Sequence, residues 1–226
     1  YNDTLLRGLD YLLAEMGKRQ MHAVLYFNNS WEWSGGYGQY LEWAGEGKAL
    51  LPSVDGYENY VAHVSKFVKS EKAKEFYYNH VRNIVTRTNT VTGKPYTEDP
   101  AIFSWQIGNE PRAFARDSVT KAAFQEWMCS SASLIKSLDP NHMVSTGSEG
   151  LYGCEVDMDL FEKIHSHKDF DYHNVHIWPL VWRWVTKDTF ADSVCVANRQ
   201  TEKYLTAHFP VAERLGKPIV LEEFGY

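Results

Sequence analysis

The chain has 226 residues, enough for one sizeable core, and 44% of them are hydrophobic, as in globular proteins. No apolar run is long enough to span a bilayer. A formal net charge of −6 with no basic face argues against nucleic acid as a partner.

The chain opens on Tyr1 rather than Met, inside a helical pattern, and is expected to be a trimmed segment, so it carries no information on targeting. Cys129, Cys154 and Cys195 show no CxxC spacing. That argues against a zinc ribbon or a redox pair and leaves one disulfide open. Aromatic residues make up 15% of the chain, and several of its 8 Trp and 14 Tyr fall in polar, glycine-bearing stretches. Exposed rings beside acids and amides suit flat amphipathic ligands such as sugars, although core and interface packing is the commoner use.

Residues 2–18 predict an amphipathic helix capped by Asn2 or Asp3, with Leu5, Leu6, Leu9, Leu12, Leu13 and Met16 recurring at three and four. Residues 21–27 (MHAVLYF) read as a short buried strand. A polar aromatic loop (NNSWEWSGG) follows and runs on to about Gly56, a length that usually marks function. Helix is expected over 57–89 with a break near Ser70, then a turn-rich connector over 90–100.

The next stretch, 101–112 (AIFSWQIGNEPR), begins as a strand apolar on both sides of the pleat, as in a parallel sheet covered on both faces. Gly108 lets the backbone bend, and Pro111 stops further ladder pairing, so Asn109 and Glu110 stand at the strand's C-terminal rim. Asp117 or Ser118 caps a helix to about Leu138, and Asp139-Pro140 ends it. Strands are expected at 142–146 and 174–178, with a short helix at 157–165 between them. A loop over 179–190, with Trp182 and Trp184, precedes a helix over 191–215, and the last strand occupies 218–222.

Strands alternating with helices mean crossover connections and a parallel sheet, hence an α/β chain. With no repeat and no linker, residues 1–226 read as one domain. Each of the five strands ends in a polar or aromatic cluster, as the upper rim of a (β/α)-barrel demands. The absence of GxGxxG disfavours a doubly wound sheet.

Two carboxylates end two different strands: Glu110, and Glu223 or its neighbour Glu222. Strand alternation points one of the last two inward and the other outward. Glycoside hydrolysis needs one acid to protonate the leaving oxygen and a second carboxylate to attack the anomeric carbon or activate water. Two carboxylates about 5 Å apart repel by roughly 3 kcal/mol at an effective dielectric near 20. That is on the order of two pKa units, enough to keep one of them protonated near neutrality.

Gly108-Asn109-Glu110-Pro111 and Leu221-Glu222-Glu223-Phe224-Gly225 resemble the acid/base and nucleophile motifs of glycoside hydrolase family 5 and its clan of retaining (β/α)8 barrels. Arg112, residues 145–150 (STGSEG), His176-Ile177-Trp178-Pro179 with Trp182, and Asn28-Asn29-Ser30-Trp31 with Gly35-Gly36 resemble that family's endo-β-1,4-mannanases. The match runs in order along almost the whole chain.

The resemblance implies a TIM barrel in which Glu110 is the general acid/base and Glu223 the nucleophile, with retention of configuration. It implies that Asn109 bonds the sugar 2-hydroxyl, that His176 orients the nucleophile, and that Arg112 holds hydroxyls on the leaving-group side. Trp31 and Trp33 are candidate stacking platforms, and Glu149 and Trp182 candidate subsite residues. Trp178 stands where the wider family often has Tyr, which removes a hydroxyl contact to the nucleophile. No cofactor or metal is implied; the partner is β-mannan or a related plant polysaccharide, and a polymer substrate implies export.

Aligned this way, the chain lacks strands 1, 2 and 8 of the barrel and is truncated at both ends. Its open edges predict an unstable or inactive segment. Three rivals stand beside this reading. His165, His167, Asp169, Asp171, His173 and His176 crowd one stretch and raise a metal-dependent hydrolase, although the first four read as solvated loop residues. A non-catalytic sugar-binding barrel would keep the aromatic platforms. A cellulase of the same family differs in one hydroxyl's orientation. A serine nucleophile is disfavoured, since Gly147-Ser148-Glu149-Gly150 is one residue short of GxSxG.

Overall fold

The computed structural model describes residues 1–225, without the side chains at 190 and 191. Helix α1 (Asp3–Lys18) opens the chain, and the Asn2 side chain accepts the Thr4 N–H as its cap. Strand β1 (Ala23–Tyr26) follows. The expected long loop after it holds helices α2 (Gly36–Ala44) and α3 (Pro52–Asp55). Tyr37, Tyr40 and Leu41 bury one face of α2, a helical spacing hidden in the sequence by the glycines around it.

Helix α4 (Tyr57–Val64) and helix α5 (Glu71–Val85) are separated at Ser70, whose hydroxyl accepts the Ala73 N–H as the cap of α5. Strand β2 (Ile102–Gln106) leads to helix α6 (Ser118–Leu138), capped by Asp117. Strand β3 (Met143–Ser145), helix α7 (Met158–His165), strand β4 (His173–Ile177), helix α8 (Phe190–Leu215) and strand β5 (Ile219–Phe224) complete the order.

The five strands run parallel in chain order. β1, β2 and β3 form one ladder and β4 with β5 a second. A Ser145–Tyr172 bridge and the Asp171 N–H to Val144 C=O bond of 2.8 Å join them. The result is an open arc of (β/α)-barrel with helices on its outer side.

The two faces of the arc differ. Outward residues lie under the helices: Trp105, Ile107 and Val144 are fully buried, and Tyr37, Phe67, Tyr77 and Trp127 pack with ring centroids 4.2–5.7 Å apart. Inward residues are open in part. Tyr26 is 55% exposed and Phe103 46%, but inward Ser104 and Gln106 are buried against Tyr172 and Glu222, so β2 is covered on both faces except at Phe103, as its apolar sequence suggested. At the foot of the arc, buried Asp10 accepts two bonds from the Arg87 guanidinium and one from the Tyr96 hydroxyl, which ties α1 to the connector before β2. That partnering outweighs the cost of burial and holds the Asp10 carboxyl far below its ordinary value.

Candidate active site

Gly108 has no room for a side chain, because a Cβ there would lie 2.3 Å from Asn28 Oδ1. That close approach lets the Asn109 N–H donate to the Asn28 carbonyl at 2.8 Å and aligns the ends of β1 and β2. Glu110 then takes a left-handed backbone, φ 50°, uncommon outside glycine. The following Pro111 disfavours the right-handed helical alternative. The Glu110 N–H donates to the Gly147 carbonyl at 2.9 Å, which pins the turn to the end of β3. Strain of this kind costs roughly 1–3 kcal/mol and persists where the surroundings over-determine it. Here it aims the carboxylate into the mouth of the arc.

Both Glu110 oxygens are engaged. Trp31 Nε1 donates to Oε2 at 2.8 Å, and His176 Nδ1 lies 3.0 Å from Oε1. Glu223 comes from the end of β5. Its Oε2 accepts Trp178 Nε1 at 3.1 Å and lies 3.4 Å from the same His176 nitrogen. One oxygen of Glu110, one of Glu223 and a nitrogen of His176 all lie within 4.8 Å of one another. The two rim carboxylates therefore meet, 113 positions apart in sequence (223 − 110).

The register between β4 and β5 explains a third carboxylate. Val175 faces Leu221, but His176 faces Glu223, so Glu222 is an extra residue in a bulge. Simple alternation would send Glu222 and Glu223 to opposite faces. The bulge instead lets both reach His176, Glu222 Oε2 lying 3.7 Å from Nε2. Gln106 Nε2 clamps Glu222 with bonds of 2.7 and 2.8 Å to its two oxygens. Sequence reasoning passed over Gln106 and left Glu222 undecided, because neither a bulge nor an inward glutamine has a local signature.

Burial opposes charge on His176, but Glu110, Glu222 and Glu223 outweigh it and raise its pKa to about 9. Burial pushes Glu110 upward, but the bonds from His176 and Trp31 and the charge of Arg112 hold it below its ordinary value. The expectation that repulsion alone keeps one carboxylate protonated is thereby corrected for the free protein. The three carboxylates around His176 favour its imidazolium form between Glu110 and Glu223.

The remaining candidates separate into two groups. Asn109 lines the cavity of about 370 Å³ that holds His176, Glu222 and Glu223. Trp33 is 70% exposed beside Trp31, ring centroids 6.0 Å apart. Trp31 itself is not an open platform: it stacks on Tyr60, lies under the Arg112 guanidinium and spends its N–H on Glu110. Arg112 donates through Nε and Nη2 to Glu149 at 2.5 and 2.7 Å. Glu149 is thus a buried partner of Arg112 rather than an open subsite residue; burial pushes its carboxyl up against that fork. Trp182 packs with Tyr152, Trp184 and Tyr204 and touches neither rim carboxylate.

The histidine-rich stretch does not converge on one point. His165 and His173 are fully buried, and Asp169 is buried with its carboxylate accepting from Ser133 and Lys168, so the reading of His165 and Asp169 as solvated loop residues is corrected. The two histidine rings pack against each other, centroids 4.7 Å apart, between α7 and β4, and Ser133 of α6 partners Asp169. Among the described residues, Cys129, Cys154 and Cys195 are free thiols. The larger cavity, about 940 Å³, lies beside β1 between Tyr26, Asn28, Trp43 and Phe76, and no carboxylate lines it. No helix of the described residues is long and apolar enough to cross a membrane.

The chain resembles known proteins along its whole length. A family model described as "GH family 5 beta-mannosidase-like" matches residues 1–226. Mannan endo-1,4-beta-mannosidase 4 of Oryza sativa subsp. japonica is 32% identical over 238 residues, covering all of this chain and 48% of that protein. Mannan endo-1,4-beta-mannosidase 1 of Arabidopsis thaliana is 31% identical over 245 residues, covering all of this chain and 53% of that one. The chain spans about half the length of the curated relatives it matches.

A crystal structure of a glycoside hydrolase family 5 mannosidase from Rhizomucor miehei, in complex with mannosyl-fructose, superposes with a TM-score of 0.85 at 35% identity. It covers 100% of this chain and 52% of that one. The endo-beta-1,4-mannanase from Thermotoga petrophila superposes with a TM-score of 0.75 at 27% identity, over 97% of this chain and 45% of that one. The open arc is accordingly part of a (β/α)8 barrel, and the chain belongs to glycoside hydrolase family 5, in its β-mannosidase-like group.

Proposed function

We propose that the protein hydrolyses internal β-1,4-mannosidic bonds of mannan or glucomannan with retention of configuration, Glu223 serving as nucleophile and Glu110 as general acid/base. The observation that supports this most is the 4.8 Å limit on the Glu110–His176–Glu223 cluster. Carboxyl groups about 5–5.5 Å apart suit direct attack, whereas the inverting route needs roughly 6.5–9.5 Å to seat a water.

In the first step Glu223 attacks the anomeric carbon as the glycosidic oxygen takes a proton from Glu110. The bond to the leaving sugar breaks and an ester to Glu223 forms. In the second step Glu110 removes a proton from water, the water oxygen bonds the anomeric carbon, and the ester breaks. The proton Glu110 needs at the outset lies one 3.0 Å hydrogen bond away, on His176. The Trp178 indole fills the role of the missing tyrosine hydroxyl by donating to Glu223. Asn109 faces the 2-hydroxyl from the cavity wall, Trp33 offers an open ring to a sugar face, and Arg112, braced by Glu149, borders the leaving-group side. The relatives' printed names, mannan endo-1,4-beta-mannosidases, support the substrate. A polymer of that size places the reaction outside the cell, so we propose that the protein is exported.

Assay of the protein on mannan, glucomannan and carboxymethylcellulose tests this. Reducing ends are expected from the first two; release from carboxymethylcellulose alone identifies a glucanase, and release from none a sugar-binding barrel. The family description, beta-mannosidase-like, and the printed name of the Rhizomucor miehei enzyme, a mannosidase, support a second reading, cleavage from chain ends. Short oligosaccharides from mannohexaose mark internal cleavage, and mannose as the sole first product marks the exo mode.

A further inference from the structure

We propose that Glu222 is a positioning residue: clamped by the Gln106 amide, its carboxylate faces His176 Nε2 and keeps the imidazole doubly protonated, so that Nδ1–H is presented to Glu110 and Glu223. The assignment rests on the two-carboxylate reading of the site.

A neutral ring has one N–H, while the other nitrogen carries a lone pair. His176 has carboxylate oxygens on both sides: Glu110 at 3.0 Å and Glu223 at 3.4 Å from Nδ1, and Glu222 at 3.7 Å from Nε2. In either neutral tautomer a lone pair points at a carboxylate, and only the imidazolium offers a proton to both sides. His176 is 2% exposed, so water does not take up that role. The groups that face it are Glu110 from β2, Glu222 and Glu223 from β5, and Glu149 from the turn after β3, whose own charge is met by Arg112. The Tyr172 hydroxyl, 3.5 Å from Glu222 and 2.7 Å from Ser104 Oγ, completes the setting.

Glu222 is placed for this and for little else. Strand alternation from Val220, which lines the same cavity, points it inward, and the β5 bulge brings Glu223 to the same ring. Glu222 lies on the far side of the ring from the two rim carboxylates. Gln106 takes both of its oxygens, which fixes its position while leaving its charge intact. The device separates two tasks: Glu222 holds the charge on His176, and Glu110 and Glu223 stay available for a sugar.

The test is a 15N-histidine NMR titration of the protein, with the His176 signal assigned by its loss in His176→Asn. Glu222→Gln is isosteric and keeps an oxygen acceptor for Gln106. It is expected to lower the His176 midpoint by about one to two pH units. The alkaline limb of kcat/KM on mannan should move down by the same amount, with the thermal midpoint of unfolding near wild type. Glu222→Asp draws the charge back from Nε2 and should give a smaller downward shift; it replaces the Gln variant should that one fail to fold. A His176 midpoint unchanged in the folded variant overturns the proposal. The titration needs no turnover, so failure of wild type to hydrolyse mannan counts against the proposed function and leaves this assignment to be decided by the NMR midpoint.

Discussion

Glu223→Gln is expected to lower kcat on mannan by roughly 10⁴- to 10⁶-fold, the range seen when a nucleophile is removed from a site that retains its other groups. The amide fills the same space and keeps one oxygen for the Trp178 N–H, so the fold should hold and polymer binding should survive. The amide cannot form a stable ester with the anomeric carbon, so turnover stops at the first step. Stopped assays with titration of bound mannohexaose separate the two effects. A drop of less than about tenfold in kcat would remove Glu223 from the nucleophile's role.

Glu110→Gln is expected to cost roughly 10² to 10⁴ in kcat/KM on mannan, the usual worth of a positioned general acid. Its signature is the dependence on leaving group. A sugar alkoxide is a poor leaving group without a proton, while a dinitrophenolate leaves without help. The variant should therefore retain kcat/KM on a dinitrophenyl β-mannoside within about tenfold of wild type, with a slow second step visible as a burst. Equal losses on both substrates would mean that Glu110 does something other than deliver a proton. The site's electrostatics sharpen the expectation. In the proposed mechanism His176, its pKa raised to about 9 by the surrounding carboxylates, supplies the proton that Glu110 passes on. As pH rises through that value the imidazole loses its charge, and activity on mannan should fall while activity on the dinitrophenyl substrate falls less.

The strand–helix alternation was legible because the strands are compact β-branched or aromatic runs and several helices carry a capping residue, although α2 and α8 have no side-chain cap. Asn2, Ser70, Asp117 and Asp157 all cap in the structure. Helix α2 was not legible, since Gly36 and Gly38 mask its apolar spacing with residues that weaken any helical reading. The meeting of Glu110 and Glu223 was legible as two rim positions on separate strands.

What the residues around them do was less so, because it depends on register and approach. The bulge between Val175 and His176 decides that Glu223 joins Glu222 at the inner face, and no local pattern announces it. The family resemblance implied sugar contacts for Trp31 and Glu149. Their real partners, Glu110 and Arg112, lie 79 and 37 positions away. The inward faces of β1 and β2 show a further limit. Val24, Tyr26 and Phe103 have the sequence of buried strand residues, yet they stand exposed on the open side of the arc.

Two acidic side chains whose nearest oxygens lie within 4.8 Å act on one anomeric carbon, the close spacing of the retaining route. The most direct test is 1H NMR of the sugar first released from a β-linked mannosyl substrate, recorded before mutarotation. The β-anomer is expected to appear first, and an α-anomer as the initial product would contradict the account.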